Sequence, residues 1–379
     1  MNHRLELAVA DAIKDVSAIN HLKSFLDCIY SLFSQSNKNQ RALSEACKEL
    51  EIQFLQIDRV LDMRWVSSSL RTVRAIWCCY KALFTMFTAA SRPDNRNYDQ
   101  QTRAKMRGLA SKLSSVQFVS DISLMFDILQ ELSLLSLSLQ KKSMTLDHAD
   151  RLVKRTIRVI ASFKDTPGEH VAEALTAVER MEFQGVTLSN HTKLVSINKQ
   201  QFIQSVVDNL RARLCDPDPA NAQILTDSVV LDVQTWPQEP DVRYGEKEIR
   251  RLCHRFNLDA QSAVVGMRDF IDDNSSIPDA LKGLSNCLRT LPCSTAECER
   301  GFSLMNIIST DLRSTLLVKN IASLMFVNLN GPPLKLWNPH DYVKSWLQSH
   351  RSAVDNKSKK LHNRDSVEQD YRHSLWKML

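Results

Sequence analysis

Leu5, Val9, Ala12, Val16 and Ile19 stand three or four positions apart, and Leu22, Leu26, Ile29 and Phe33 continue the rhythm. That spacing puts all nine on one side of a helix, so it predicts helix over residues 3–34. The polar run SQSNKNQ (34–40) breaks the pattern, and a second helix is expected from Arg41 to about Gln53. Residues 61–91 predict a third long helix, with Ser67–Ser69 near its start and Val73, Trp77, Tyr80 and Phe84 as its buried stripe. SRPDNRNYDQQ (91–101) reads as a loop. From Leu109 to Thr166 there is neither Gly nor Pro, while Phe118, Ile122, Met125, Leu129, Leu132 and Leu139 keep helical spacing. Two long antiparallel helices joined near residues 143–150 are predicted there, and TPGE (166–169) opens another helix.

MEFQGVTLS (181–189) is the best strand candidate, with Phe183, Val186 and Leu188 suited to a strand and Gly185 as its weak point. A helix is expected over 199–214. It ends at CDPDPAN (215–221), where Pro217 and Pro219 push the residues before them out of helical geometry. WPQEPDVRYG (236–245) is a loop leading into a short amphipathic helix, EKEIRRLCHRF (246–256), with Ile249, Leu252 and Phe256 on one side. No repeat of fixed period is visible. Residues 351–379 form a polar tail expected to be disordered; Lys357, Lys359 and Lys360 within it are weak nuclear-import signals. The fold class that emerges is mostly α.

Composition sharpens this. Only 8 glycines in 379 residues favour long helices over many tight turns. A hydrophobic share of 43% against 24% charged fits a globular chain with buried cores. The net charge of +6 is mild, and it leaves a weak nucleic-acid contact open without arguing for one. The nine cysteines are odd in number and lack C-x-x-C spacing, which points to buried thiols in a reducing compartment, nuclear or cytoplasmic. The first residues carry Arg4, Glu6 and Asp11 where the apolar core of a signal peptide would sit. No run of about 18 apolar residues is apparent, so no transmembrane helix and no membrane partner are expected.

The stretch LPCSTAECERGFSLMNIISTDLRSTL (291–316) concentrates specific side chains. Pro292 stops any helix arriving from upstream, and Ser294 with Glu297 fits the S-x-x-E capping box. Behind that cap, Cys298, Phe302, Met305 and Ile308 share one helical face, with Glu299 and Arg300 beside it. A second helix carries Leu317, Ile321, Leu324, Met325 and Leu329. Asn330-Gly331 reads as its left-handed C-cap, and Pro332-Pro333 forbid continuation. An aromatic segment with Trp337, Tyr342 and Trp346 follows. On spacing alone this is a packed helical hairpin.

The residues themselves say more. Pro292, Ser294, Glu299, Arg300, Phe302, Ser303 and Arg313, then the helix through Leu324 to Asn328, resemble the C-terminal dimerisation region of hAT-family transposases. HRLELAVADA (3–12) looks like the segment just after the family's C-x-x-H motif. His3 would be its histidine, and the cysteine would fall one residue before Met1. Arg64-Trp65 looks like the Arg-Trp that leads into the family's helical insertion domain. The likeness covers residues 3–350 or so and is nearest to domesticated animal members, some described as SUMO ligase-like through an N-terminal segment without a counterpart here.

This resemblance implies an architecture. Residues 1–90 would be the C-terminal remnant of an RNase H-like core with its lead-in helices, 91–235 the helical insertion domain, and 236–350 the dimerisation region. It also implies self-association as a homodimer, with Ser294, Glu299, Arg300, Phe302, Met305, Ile308, Arg313, Leu324 and Phe326 as interface or core residues. Active members use three carboxylates to hold two divalent metals. The first two would lie upstream of residue 1, and only Glu246 or Glu248 could stand for the third. The expectation is therefore a non-catalytic chain without metal or cofactor.

Alternatives remain: a DNA-binding or DNA-cleaving transposase remnant, or a SUMO ligase-like role. Trp65 could stack on an extruded base, although a core-packing indole is the simpler reading. Val229–Val233 faintly resembles a SUMO-interacting strand. Cys253-His254 lacks the spaced partner pair that a zinc site needs.

Overall fold

A computed structural model describes residues 1–61, 65–141, 144–190, 195–215, 219–291, 296–313 and 315–349. Helix accounts for 73% of the described residues, and among them the only sheet is a hairpin of two-residue strands. The mostly α fold class expected from periodicity is what forms.

All nine apolar residues of the first stripe are buried, but the helix breaks in two: α1 (Asn2–Asp15) and α2 (Ser17–Ser34). Val16 between them is extended (φ −123°, ψ 92°) and keeps its side chain inside the bend. A β-branched residue suits that backbone. α3 (Asn37–Glu49) starts earlier than expected because the Ser36 hydroxyl accepts the Asn39 amide at 3.3 Å. The predicted 61–91 helix is α4 (Trp65–Cys78) and α5 (Tyr80–Ala90), bent at Cys79, where the thiol faces the carbonyls of Gln53 and Leu55.

Three helices, not two, follow: α6 (Gln100–Leu113), α7 (Val116–Leu139) and α8 (Leu146–Ser162). The unforeseen break is a cap rather than a glycine or proline: the Ser115 hydroxyl accepts from the Phe118 amide at 3.1 Å. α9 (Glu169–Arg180) follows TPGE as expected. The expected strand turns back on itself as β1 (Glu182–Phe183) and β2 (Val186–Thr187), antiparallel, with Phe183 opposite Val186. Gln184 (φ 48°) and Gly185 (φ 75°) are both left-handed, the geometry of a two-residue hairpin turn. Gly185 makes the turn instead of weakening a strand. α10 (Lys199–Leu210) ends in a π-helical turn, Arg211–Cys215.

Beyond it lie α11 (Pro219–Ser228), α12 (Glu246–Phe256), α13 (Ala260–Asp272) and α14 (Asp279–Thr290). α12 has the predicted bounds, set by left-handed Gly245 and Asn257 at its two ends. Residues 229–235 are two 3-10 turns with Val230 buried, so the stretch compared to a SUMO-interacting strand offers no exposed strand.

The chain divides into two compact units, one from Met1 to Arg300 and one that begins at Gly301. The first holds two apolar cores. One runs from Leu5 to Leu214, drawing on both sides of residue 90; the other gathers Ile224 to Leu284. α7 is the axis of the larger core and packs on α4, α8 and α9. Contrary to expectation, α7 is long and apolar enough to cross a membrane, its most apolar window having mean hydropathy 1.5. Yet 67% of that window is buried inside the protein, as in a core helix.

Three carboxylates fasten arriving segments to this core. Glu6 of α1 accepts the Val66 amide at 3.1 Å in the first turn of α4. Asp121 of α7 accepts the Ser196 hydroxyl and the Ile197 amide, both at 2.8 Å. Burial pushes its carboxyl up to about 6, against the opposing pull of those two bonds and of Lys112. Asp127 of α7 accepts the His170 and Val171 amides, both at 3.0 Å, and lies 2.7 Å from His170 Nδ1. It thus caps α9 from another helix, where the helix dipole favours a negative charge. A side chain on Gly168 would place its Cβ 2.3 Å from Asp127 Oδ2, which is why the residue before α9 has none.

Asp127→Ala is expected to strand two buried amide donors and to lower unfolding free energy by about 3 kcal/mol. Urea denaturation followed by circular dichroism measures this; a loss below about 0.5 kcal/mol would show that the clip contributes nothing.

Candidate self-association surface

α15 (Ala296–Ile308), a 3-10 turn (Asp311–Arg313), α16 (Val318–Asn330) and α17 (His340–Ser349) make up the C-terminal helices. The proline and capping box at residues 292–295, Ser294 included, lie outside the described residues. In the unit beginning at Gly301, α15 and α16 lie close: a Cβ on Gly301 would sit 3.8 Å from the Met325 methyl. The expected left-handed cap after α16 does not form. Gly331 is extended (φ −69°, ψ 153°), and its amide donates to Val327 O at 2.8 Å. Any Cβ there would come within 2.3 Å of the same oxygen, so close approach, not a left-handed turn, calls for glycine.

The predicted stripe on α15 divides. Ile308 is buried and Met305 half-buried, while Phe302 is 63% exposed. α16 buries no residue at all. Its apolar side chains point all round it: Leu324, Phe326, Val327 and Leu329 are exposed, and Ile321 and Met325 are half-buried. A helix apolar on every side is ordinarily found inside a core. Of the 24 large apolar side chains exposed among the described residues, 16 fall between Phe302 and Leu347. They include Trp337 and Tyr342, whose rings pack at 5.5 Å, and Trp346.

The polar members of the motif are dispersed. Arg300 donates through Nη2 to the Gln140 carbonyl at 3.2 Å, at the C-terminus of α7, where a cation offsets the negative end of the helix dipole. Glu299 is exposed beside it, and Arg313 is exposed in the 3-10 turn. Trp65 opens α4 and is 5% exposed, with its indole nitrogen buried. It packs in the core and presents no face for a base.

The two acid candidates are both taken up by arginines. Glu246 is buried; Oε1 accepts from Arg268 Nε at 2.9 Å, and Oε2 lies 3.4 Å from Arg243 Nη2. The Arg268 bond, then that of Arg243, holds its carboxyl below the usual range despite desolvation. Glu248 accepts from Arg251 Nη2 at 2.9 Å. Arg251 in turn grips the buried Asp227 with two bonds, at 2.7 and 3.0 Å. Carboxylates so engaged have little left to offer a divalent cation. Among the described residues no group of three or more His, Cys, Asp or Glu could hold a metal ion.

No protein-family model matches the chain, and no solved structure matches it.

The Glu246 pairs set a pH dependence. Its carboxyl titrates lower folded than unfolded, so its contribution is present above the unfolded value, about 4.3, and is lost as pH falls through the folded one. Glu246→Gln is therefore expected to be less stable than the wild type at pH 7, with the gap closing below about pH 4. Parallel urea titrations at several pH values check this; a gap independent of pH would refute it.

Proposed function

We propose that this chain is an hAT transposase-derived protein without nuclease chemistry, whose activity is self-association through the apolar surface of residues 302–347. The observation that carries this reading is α16, an apolar helix with no buried residue. Leaving such a surface in water costs about 25 cal/mol per Å². Monomeric proteins rarely leave so large an apolar patch uncovered.

The area is adequate for a dimer. Five aromatic residues (Phe302, Phe326, Trp337, Tyr342 and Trp346) are exposed at 38–63%. At about 200 Å² each they alone leave on the order of 500 Å² open, before any aliphatic residue is counted. A standard interface buries about 800 Å² per partner. A second copy suits this face because α16 within it is almost uncharged. From Thr315 to Gly331 the only charged residue is Lys319, so two copies can meet about a two-fold axis with little like-charge repulsion. The hAT reading itself rests on the residues of 292–328 and on the segments at 3–12 and 64–65. A nuclear or cytoplasmic setting goes with it. Strand cleavage is disfavoured because Glu246 and Glu248 are committed to arginines.

Multi-angle light scattering at micromolar concentration is expected to give twice the 43.3 kDa chain mass. Phe302→Asp with Phe326→Asp changes two exposed side chains and should leave helix content intact. It should weaken the dimer by about 30-fold or more, the effect of losing one hot spot. A monomeric wild type, or a double variant that dimerises unchanged, would reject the proposal.

A further inference from the structure

The sequence of α8 carries a second pattern besides its apolar one. Arg151, Lys154, Arg155 and Arg158 stand at i, i+3, i+4 and i+7, which places four cations on one face over two turns. Leu152, Val153, Ile157 and Ile160, which carry the apolar pattern, are buried. All four basic side chains are exposed. The π-helical turn that ends α10 brings Arg211 to the same place, and His148 completes the set.

These residues line a groove of about 910 Å³. Six of its ten described lining residues are basic or histidine, and none is acidic; Leu152, Ile157 and Ala212 supply apolar wall. Carboxylates brace its rim: Asp147 and Asp232 hold Arg151, Asp150 holds Lys154 at 2.7 Å, and Asp208 lies 3.9 Å from Arg211. Arg155 and Arg158 have no ion pair or hydrogen bond among the described residues. Two unpaired guanidinium groups one turn apart, in a cleft with low-dielectric walls, concentrate positive potential that neither the fold nor the proposed dimer uses.

We propose that this groove binds a ligand carrying two or more phosphate groups. Four of its five cations are arginines, whose planar forks pair with phosphate oxygens two bonds at a time. The stripe from Arg151 to Arg158 is about 10.5 Å long, room for adjacent phosphates rather than one. The braced Arg151 and Lys154 arrive with their rotamers already held, which lowers the entropy lost on binding. The phosphates come either from a soluble polyphosphate or from a nucleic-acid strand.

Isothermal titration of the full chain with sodium tripolyphosphate tests this at about 50 and about 200 mM salt. Binding is expected at the lower salt and should weaken at the higher. The R155E/R158E double variant should lose about tenfold or more in affinity with unchanged circular dichroism. R250E, a charge reversal at an exposed arginine on α12, should stay within about twofold of the wild type. A short oligothymidylate that displaces tripolyphosphate assigns the phosphates to a nucleic-acid strand; one that does not assigns them to a soluble polyphosphate. Failure of both ligands to bind, undiminished binding by the double variant, or equal binding of a polyglutamate peptide would overturn the proposal.

Discussion

α7 needs cover on nearly every side, and the first unit is arranged around meeting that need. Its backbone is satisfied within the helix, but Phe118, Ile122, Met125, Leu129, Leu132 and Leu139 reach out for apolar neighbours. α4, α8 and α9 provide them. Two aspartates lie in the same buried helix, and a buried carboxylate without hydrogen bonds is costly. Asp121 and Asp127 meet that demand by accepting amides from the segments that begin α10 and α9. One set of bonds therefore satisfies the acids, caps a helix and places the elements that cover α7.

The same physics explains why α16 stands apart. It is as apolar in character as a core helix, yet every position on it is at least partly open. α7 has its partners in the first unit, whereas α16 has no buried residue. An uncovered apolar helix of low charge, next to exposed tryptophans, is what the proposed self-association with a second copy rests on. The cationic face of α8 is the polar counterpart. There the apolar demand is met on one side, while on the other Arg155 and Arg158 line a groove whose described lining residues include no acid.

Much of this was readable residue by residue. Helical periodicity placed the nine-residue stripe of α1 and α2, the buried line of α7 and the bounds of α12. The misplaced boundaries share a cause. Val16 and Cys79 bend the chain without any breaker residue, and Ser115 restarts a helix through a hydroxyl cap that looks like any serine in an apolar run. Gly185 and Gly331 were recognisable as special, but each serves a purpose other than the one expected: a hairpin turn and a close contact with Val327 O. The fate of Glu246 was not legible, because Arg268 lies 22 residues away, whereas the burial of Trp65 agrees with its reading as a core-packing indole.

By itself the sequence determined that the chain is helical and where most helices run. Local spacing and composition suffice for those, because each depends on residues within a few turns of one another. Only the tertiary structure decided which apolar faces are covered and which stay open, and that Arg268 takes up Glu246. It also decided that carboxylates clip amides 43, 60 and 76 positions away. Those outcomes depend on distances between segments remote in the chain, and no local pattern encodes such distances.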